Sequence, residues 1–394
     1  MIRAMFVAHT AAPSGAELAT LRLLSALRTS PTGLTLEPSI VYTEDGPMVG
    51  AMKAQGIPTS VLANTFDSRS VTIRDSGWLR RVTGAISLLR VGWLLGATVR
   101  ERGADVLVAG STKALIMSAV AARRARIPLI WHVHDRISAE YFGATLAFLI
   151  RLLGKIVADG YIANSRSTES SLRPGRLPGV VAYPGLDFQQ SPHTEHAPQR
   201  PAAETVIAVV GRLTQWKGQD VFLRALANTK VRPQRVYLVG GTFFGEETFR
   251  TELEDLASEL QLPVTFTGHL DDPTNILAIS DILVHCSVIA EPFGQVVVEG
   301  LRAGCAVIAT RPGGPAETIE SGVHGLLVDA GNTDQLTTAL DLLIEDRDLR
   351  TRLAHAGQAR ARRFDIADSA QTVRTFLSEV LAQRPATPMA GRSV

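Results

Sequence analysis

The segment EPFGQVVVEG places two carboxylates, Glu291 and Glu299, eight residues apart around a break in the chain. Pro292 and Gly294 interrupt regular structure, with Phe293 between them, and the spacing predicts a helix from Gln295 through Arg302 with Val296, Val297 and Leu301 apolar. The N–H groups of Gly294, Gln295 and Val296 would then point outward at the positive end of that helix, a setting suited to a diphosphate. Glu291, in the loop ahead of it, cannot favour phosphate; a carboxylate there is better placed to accept hydrogen bonds from hydroxyls. Glu299, farther along the helix, would face a neutral diol such as a ribose. An anion site flanked in this way suggests a nucleotide-diphosphate sugar, which carries hydroxyls at both ends. Simple helix capping by Glu291 is the alternative.

A second constellation, GRLTQWKGQD, spans residues 211 to 220. Gly211 lets the chain turn, Arg212 offers a planar fork to phosphate oxygens, and Lys217 supplies a point charge. A helix from Gly218 onward would present its amino end to the same place. The chain has only five lysines, at 53, 113, 155, 217 and 230, which singles out Lys217. The alternative is a pair of solvated surface cations, against which stands their position at the end of a strand. No GxGxxG follows the first strand, and no GxxxxGK[ST], HExxH or GxSxG occurs, which argues against dinucleotide, P-loop, zinc-protease and serine-hydrolase chemistry. No Asp-x-Asp pair is read in the chain, so no metal ligand and no cofactor is expected. Cys286 and Cys305 lack metal or CxxC spacing and read as core thiols of a reducing compartment.

Positioning these groups falls to alternating short β-rich runs and amphipathic helices, the pattern of parallel α/β sheets. In the first half, strands are predicted at 4–9, 38–42, 60–62, 106–110, 129–133 and 160–164; in the second, at 205–211, 235–240, 264–268, 282–286, 306–310 and 325–329. The polar, Pro-rich stretch 185–205 reads as a linker. The expected fold is α/β: two doubly wound Rossmann-like domains, 1–188 and 204–365, with a last helix over about 366–384 crossing back to the first. In such sheets ligands sit beyond the carboxyl ends of the strands.

Composition agrees with two domains: 394 residues, 45% hydrophobic. A net charge of +2 carries no nucleic-acid signal. The start, MIRAMFVAHT, does not read as a signal peptide, and no window reaches the roughly 18 uninterrupted apolar residues of a membrane span. A cytoplasmic chain is expected, soluble or attached at the inner face of the membrane. Two stretches, 78–103 with Trp78 and Trp93, and 141–160 with Arg151 and Lys155, fit either interfacial helices or helices partly buried in the first domain.

These residues resemble glycosyltransferase family 4, retaining enzymes with the GT-B fold. The resemblance rests on E-P-F-G-x(4)-E at Glu291 to Glu299, Gly211-Arg212 and Lys217-Gly218, TGHL at 267–270, GCAVIAT at 304–310 and HGLLVD at 324–329. In the first half, PSGAE at 13–17 looks like the family's glycine-rich acceptor-side loop, with Ser14 in place of the commoner first glycine. PLIWHVHD at 128–135 aligns His134-Asp135 with the family's strand-end histidine. The resemblance implies that Arg212 and Lys217 neutralise a leaving diphosphate, that Glu291 contacts the transferred sugar and that Glu299 holds the ribose. Backbone at Gly268-His269 would meet the base, Gly15 and Ala16 the diphosphate and acceptor, and His134 the sugar. His132, two residues from His134, competes for that role and is expected on the opposite face of the strand. The implied partners are a nucleotide-sugar donor, with UDP favoured over GDP, and a hydroxyl acceptor of unspecified kind. A nucleotide-sugar 2-epimerase and a non-catalytic sugar-nucleotide-binding protein share the architecture and remain alternatives.

Overall fold

The computed structural model describes residues 1–29, 35–63, 78–188, 200–242 and 245–383, without the side chains of 78–83 and 85. Most of the expected linker, 189–199, and the Trp78 side chain lie outside the described residues. The chain divides into two compact units. One comprises Met1–Asn164, Thr168–Pro184 and the residues from Ile366 onward; the other comprises Ser165–Ser167 and Gly185–Asp365.

The first unit holds seven strands: β1 (Ile2–Ala8), β2 (Leu36–Tyr42), β3 (Thr59–Val61), β4 (Val106–Ala109), β5 (Leu129–Val133), β6 (Gly160–Ala163) and β7 (Gly179–Val181). They pair in the order β3-β2-β1-β4-β5-β6-β7, every neighbouring pair parallel. The two-residue period of a strand sorts the side chains. Phe6, Ile40, Tyr42, Val108 and Ile130 enter one apolar cluster, covered by the helices Gly15–Thr29, Pro47–Ala54 and Ile366–Ala382. Met5, Val7, Val41, Leu107 and Trp131 enter another on the opposite face, covered by Trp78–Glu101, Thr112–Ala125 and Ala144–Val157. The last helix, Ile366–Ala382, therefore belongs to the first unit although its chain precursor is the second.

In the second unit β8 (Val206–Val210), β9 (Arg235–Val239), β10 (Val264–Gly268), β11 (Ile282–Val284), β12 (Ala306–Arg311) and β13 (Leu326–Asp329) form a parallel sheet ordered β10-β9-β8-β11-β12-β13. Alternate strand residues such as Ile207, Leu238, Val284 and Ile308 pack with Phe222, Leu223, Leu340 and Leu343 from the covering helices. In each sheet the strand order reverses beside its first strand, between β1 and β4 and between β8 and β11. These are the points where open α/β sheets leave a crevice beyond the strands' carboxyl ends.

The sequence located twelve of the thirteen strands to within about two residues at each end. It missed β7. Both cysteines are buried and free, as expected of core thiols.

Candidate active site

The second unit's reversal point brings together the two constellations found in the sequence. From β8 the chain turns at Gly211, whose φ is +152°, runs through a short 3-10 turn at Gln215–Lys217 and enters the helix Gln219–Ala227. The helix begins one residue later than expected because Gly218 stands ahead of it in the left-handed region, φ +69°. A Cβ at Gly218 would lie 2.2 Å from the carbonyl oxygen of Cys286, so only glycine lets this turn press against the loop after β11. The contact is sealed by Val288 N–H donating to the Trp216 carbonyl at 2.9 Å.

That packing carries the Lys217 side chain across to Glu291. Lys217 Nζ lies 2.7 Å from Glu291 Oε2, and 4.3 Å from the centre of the Trp216 ring. Ser287 Oγ donates to the same carboxylate oxygen at 2.8 Å, and His285 Nε2 lies 3.3 Å from it. Thr310, from β12, sits 3.3 Å from His285 Nδ1, so both ring nitrogens have partners. Burial alone would push the Glu291 carboxyl up. The Lys217 charge, together with the His285 hydrogen bond and charge, overcomes this and holds it well below the usual carboxylate range. Glu291 is thus a buried carboxylate that stays ionised at neutral pH. It is suited to accept hydrogen bonds and unsuited to donate a proton.

After Glu291, the helix Gln295–Ala303 begins as predicted, one residue longer at its end. Gly294 precedes it with φ +84°, and no side chain caps its amino end. Val297, Val298 and Leu301 are buried, whereas Val296 shares the half-buried face with Gln295 and Glu299. The loop is braced by Gly313 and Gly314: the Gly314 N–H donates to the Glu291 carbonyl at 2.9 Å, and a Cβ at Gly314 would lie 2.2 Å from Phe293 Cα. Phe293 is buried and packs on Phe364, which makes it an anchor of the loop.

Arg212 is paired with Glu246, its Nε 3.6 Å from Glu246 Oε2. Gly268 ends β10 with φ +73°, and its carbonyl accepts from Gly240 N–H at 3.0 Å. His269 is exposed beside Asp271. Gly240 itself was not anticipated. A Cβ there would lie 1.9 Å from the Gly211 carbonyl, so the turns after β8 and β9 touch backbone to backbone. His285, Ser287 and Thr310 were missed as well, although a polar His-x-Ser directly after an apolar strand was a readable signal. The Asp-x-Asp spacing of Asp346-Arg347-Asp348 was also passed over; Asp346 accepts from Leu349 N–H and caps the helix Arg347–Ala361.

In the first unit a small cavity lies at the carboxyl ends of β1 and β5, and of the remaining predicted residues Ala16 and His134 line it. Glu17, Tyr42, His9 and His132 line it as well. Gly15 and Ala16 form the first turn of the helix Gly15–Thr29 and are not a loop, and Ser14 Oγ donates to Glu17. His132 and His134 do not lie on opposite strand faces. Their ring centres are 4.0 Å apart, as the two-residue period requires of positions i and i+2. Burial pulls the His134 imidazole down to about 4 and holds His132 well below the usual imidazole range, with His134 adding repulsion. Both rings are therefore neutral at pH 7. Burial also raises the Glu17 carboxyl. Tyr42 Oη, His132 Nδ1 and His134 Nε2 are buried polar atoms with no hydrogen-bond partner among the protein's described residues. Asp135, next along the chain, is exposed.

Comparison with known proteins bears on the family and the fold. The family model of group 1 glycosyl transferases matches residues 193–360, and that of glycosyltransferase family 4 matches residues 48–190. A D-inositol 3-phosphate glycosyltransferase of Corynebacterium kroppenstedtii is 35% identical over 221 residues, 52% of this chain and 49% of that protein. The lipopolysaccharide core biosynthesis glycosyltransferase LpsE of Rhizobium meliloti is 35% identical over 40% of this chain and 44% of its own. The chain thus spans about half the length of the curated relatives it matches. Among solved structures, Anabaena Alr3699/HepE in complex with UDP-glucose superposes with a TM-score of 0.80 at 28% identity, over 96% of this chain and 100% of that one. With two doubly wound parallel sheets, and with family matches that between them cover most of its length, the chain belongs to the glycosyltransferases of family 4, of GT-B fold.

Proposed function

We propose that the chain transfers a hexosyl-type sugar from a UDP-sugar to a hydroxyl acceptor, with retention of configuration and without a metal ion. The acceptor is a glycan, a lipid-linked sugar or a small natural product. The observation that carries the reading is the Lys217–Glu291 pair, 2.7 Å apart across the second sheet's reversal point and followed by an uncapped helix start. UDP is favoured as the carrier because Alr3699/HepE, similar over nearly the whole chain, was solved with UDP-glucose.

Cleaving the sugar–phosphate bond builds negative charge on the leaving oxygen. Lys217, Arg212 and the helix start at Gly294 would offset it, each such group contributing roughly 10²–10³-fold. Arg212 must leave Glu246 to do so. Glu291, ionised and fixed by Ser287 and His285, would accept from the sugar's hydroxyls. With retention of configuration, and with Glu291 assigned to the sugar's hydroxyls so that no carboxylate is read as the nucleophile, the acceptor oxygen would attack from the leaving-group side, its proton passing to the departing phosphate oxygen.

The test is turnover by the purified chain with UDP-sugars and an acceptor panel in EDTA, reading UDP release and the fate of the sugar. Acceptor-dependent UDP release with an α-linked product from an α-linked donor supports the reading. A donor returned as its 2-epimer, UDP bound without turnover across the panel, or activity restored only by Mg²⁺ or Mn²⁺ would overturn the corresponding part.

A further inference from the structure

Fifteen large apolar side chains are exposed among the described residues, and eight of them sit on two helices of the first unit. Ile86, Leu89, Trp93 and Leu94 project from Trp78–Glu101; Phe148, Leu149, Leu152 and Ile156 project from Ala144–Val157. Both sets recur at three- and four-residue intervals, so each forms one outward stripe. The inward residues of both helices, among them Leu88, Val91, Leu95, Ala147 and Ile150, enter the same apolar cluster. The two stripes therefore lie on one side of one sheet, with Thr112–Ala125 on the same side and packed against both helices.

This side is also cationic. Among described side chains, the exposed charges of the three helices are Arg90, Arg100, Arg123 and Lys155 against a single carboxylate, Glu101. The whole chain has 40 basic and 38 acidic residues, so the imbalance belongs to this side. Arg124 stacks over the Trp93 ring at 4.1 Å, and Lys155 is exposed next to Ile156, placing charge at the edge of the apolar stripe. A second copy of the chain is a poor occupant, since self-association here would bring like charges together. No helix among the described residues is long and apolar enough to cross a membrane, and Ala144–Val157 is only about 21 Å long at 1.5 Å per residue.

We propose that these two helices are a docking surface for an anionic phospholipid bilayer, with the apolar stripes entering the headgroup region and the arginines and lysines paired with lipid phosphates. The surface belongs to the first unit and is separate from the Lys217–Glu291 site, so the inference is independent of the donor chemistry.

Flotation of the full chain with vesicles tests it, comparing pure phosphatidylcholine with equal parts phosphatidylcholine and phosphatidylglycerol. The expected result is binding to the anionic vesicles that weakens with salt, and little binding to the neutral ones. Phe148→Ser with Ile156→Ser, and separately Arg90→Glu with Lys155→Glu, should each weaken binding by about tenfold or more. All four positions are exposed, so circular dichroism and melting should not change. Absence of flotation, flotation untouched by either pair, or a chain dimer that these substitutions dissociate would overturn the proposal.

Discussion

Three donors, Lys217 Nζ, Ser287 Oγ and His285 Nε2, reach a single oxygen of Glu291. In Glu291→Gln the amide can keep its oxygen toward Lys217 and Ser287, which leaves an NH₂ where the carboxylate had an acceptor. Free UDP should bind almost unchanged, while binding or turnover of the UDP-sugar falls. Glu299→Gln should weaken both ligands alike, by roughly ten- to hundred-fold for the loss of one charged hydrogen bond. Calorimetry separates the two; equal loss of UDP affinity in both variants would remove Glu291 from the sugar. Lys217→Ala makes a second demand. It leaves a buried carboxylate without its main cation, which costs about 3–5 kcal/mol, whereas Arg212→Ala breaks only a half-exposed pair. Both should lower kcat by roughly 10²-fold or more, but only Lys217→Ala should lower Tm markedly, and Lys217→Met with Glu291→Gln should recover Tm without activity. Equal Tm for the two single variants would show that the pair does not hold the loop. Residue types and spacing exposed Lys217, Glu291 and Glu299. The His-x-Ser at 285–287 was legible too, but the meeting of His285 with Thr310 was not, because it depends on the register of β11 against β12.

At the scale of elements, periodicity located nearly every strand because each is a short apolar run bounded by Gly, Pro or polar residues. β7 escaped since its three residues, Gly179–Val181, are all half-buried and give no alternation to read. Backbone approach was not legible either: Gly218 was read as the start of a helix, and the 2.2 Å limit set by Cys286 follows only from the packed turn. Gly218→Ala therefore meets both a carbonyl and a positive φ, and should cost more than the usual ~1 kcal/mol of a strained left-handed alanine. Melting and UDP binding would report it; a variant with unchanged Tm and affinity would mean the loops separate freely. The first sheet's histidines carry a pH prediction. Burial lowers His9 and His134 to about 4 and also lowers His132, with Lys113 further lowering His9 and Glu44 opposing. Between the ordinary value of 6.5 and about 4 the unfolded chain binds more protons, so stability should fall as pH drops through that window. Glu17, raised by burial, works the other way: its contribution is present at low pH and lost as pH rises through its folded value. Three imidazoles against one carboxyl predict a lower Tm at pH 5 than at pH 7, and a smaller drop in His9→Asn. A Tm independent of pH over this range would show that the pocket is hydrated enough to hold charged rings.

On the scale of the whole molecule, the chain order of its parts and their packing differ. The sequence showed that a helix follows the second domain's last strand, and the structure assigns its apolar face to the first unit. Ile366, Ala370, Val373, Phe376, Leu377 and Val380 share a core with Leu23, Leu24 and Leu27, and buried Arg374 donates to the Leu27 carbonyl at 2.9 Å. A chain ending at Asp365 would lose five large buried side chains at about 1.5–3 kcal/mol each, roughly 8–15 kcal/mol before allowing for a compact unfolded chain, comparable to the whole stability of a domain. The second unit's core, drawn from Ile207 to Leu353, loses nothing. The truncated chain should therefore expose apolar surface to a dye such as ANS, lose the first unit's share of the melting transition and fail to glycosylate, while still binding UDP to within about tenfold of the full chain. Restoring residues 366–383 as a separate peptide should quench the dye signal in proportion to its binding. If the truncated chain instead melts as a single transition at the original temperature, the helix is an ornament on the first unit and its burial contributes little. If UDP binding is lost along with the first unit's transition, the donor site depends on the first unit, and the second unit alone does not account for nucleotide recognition.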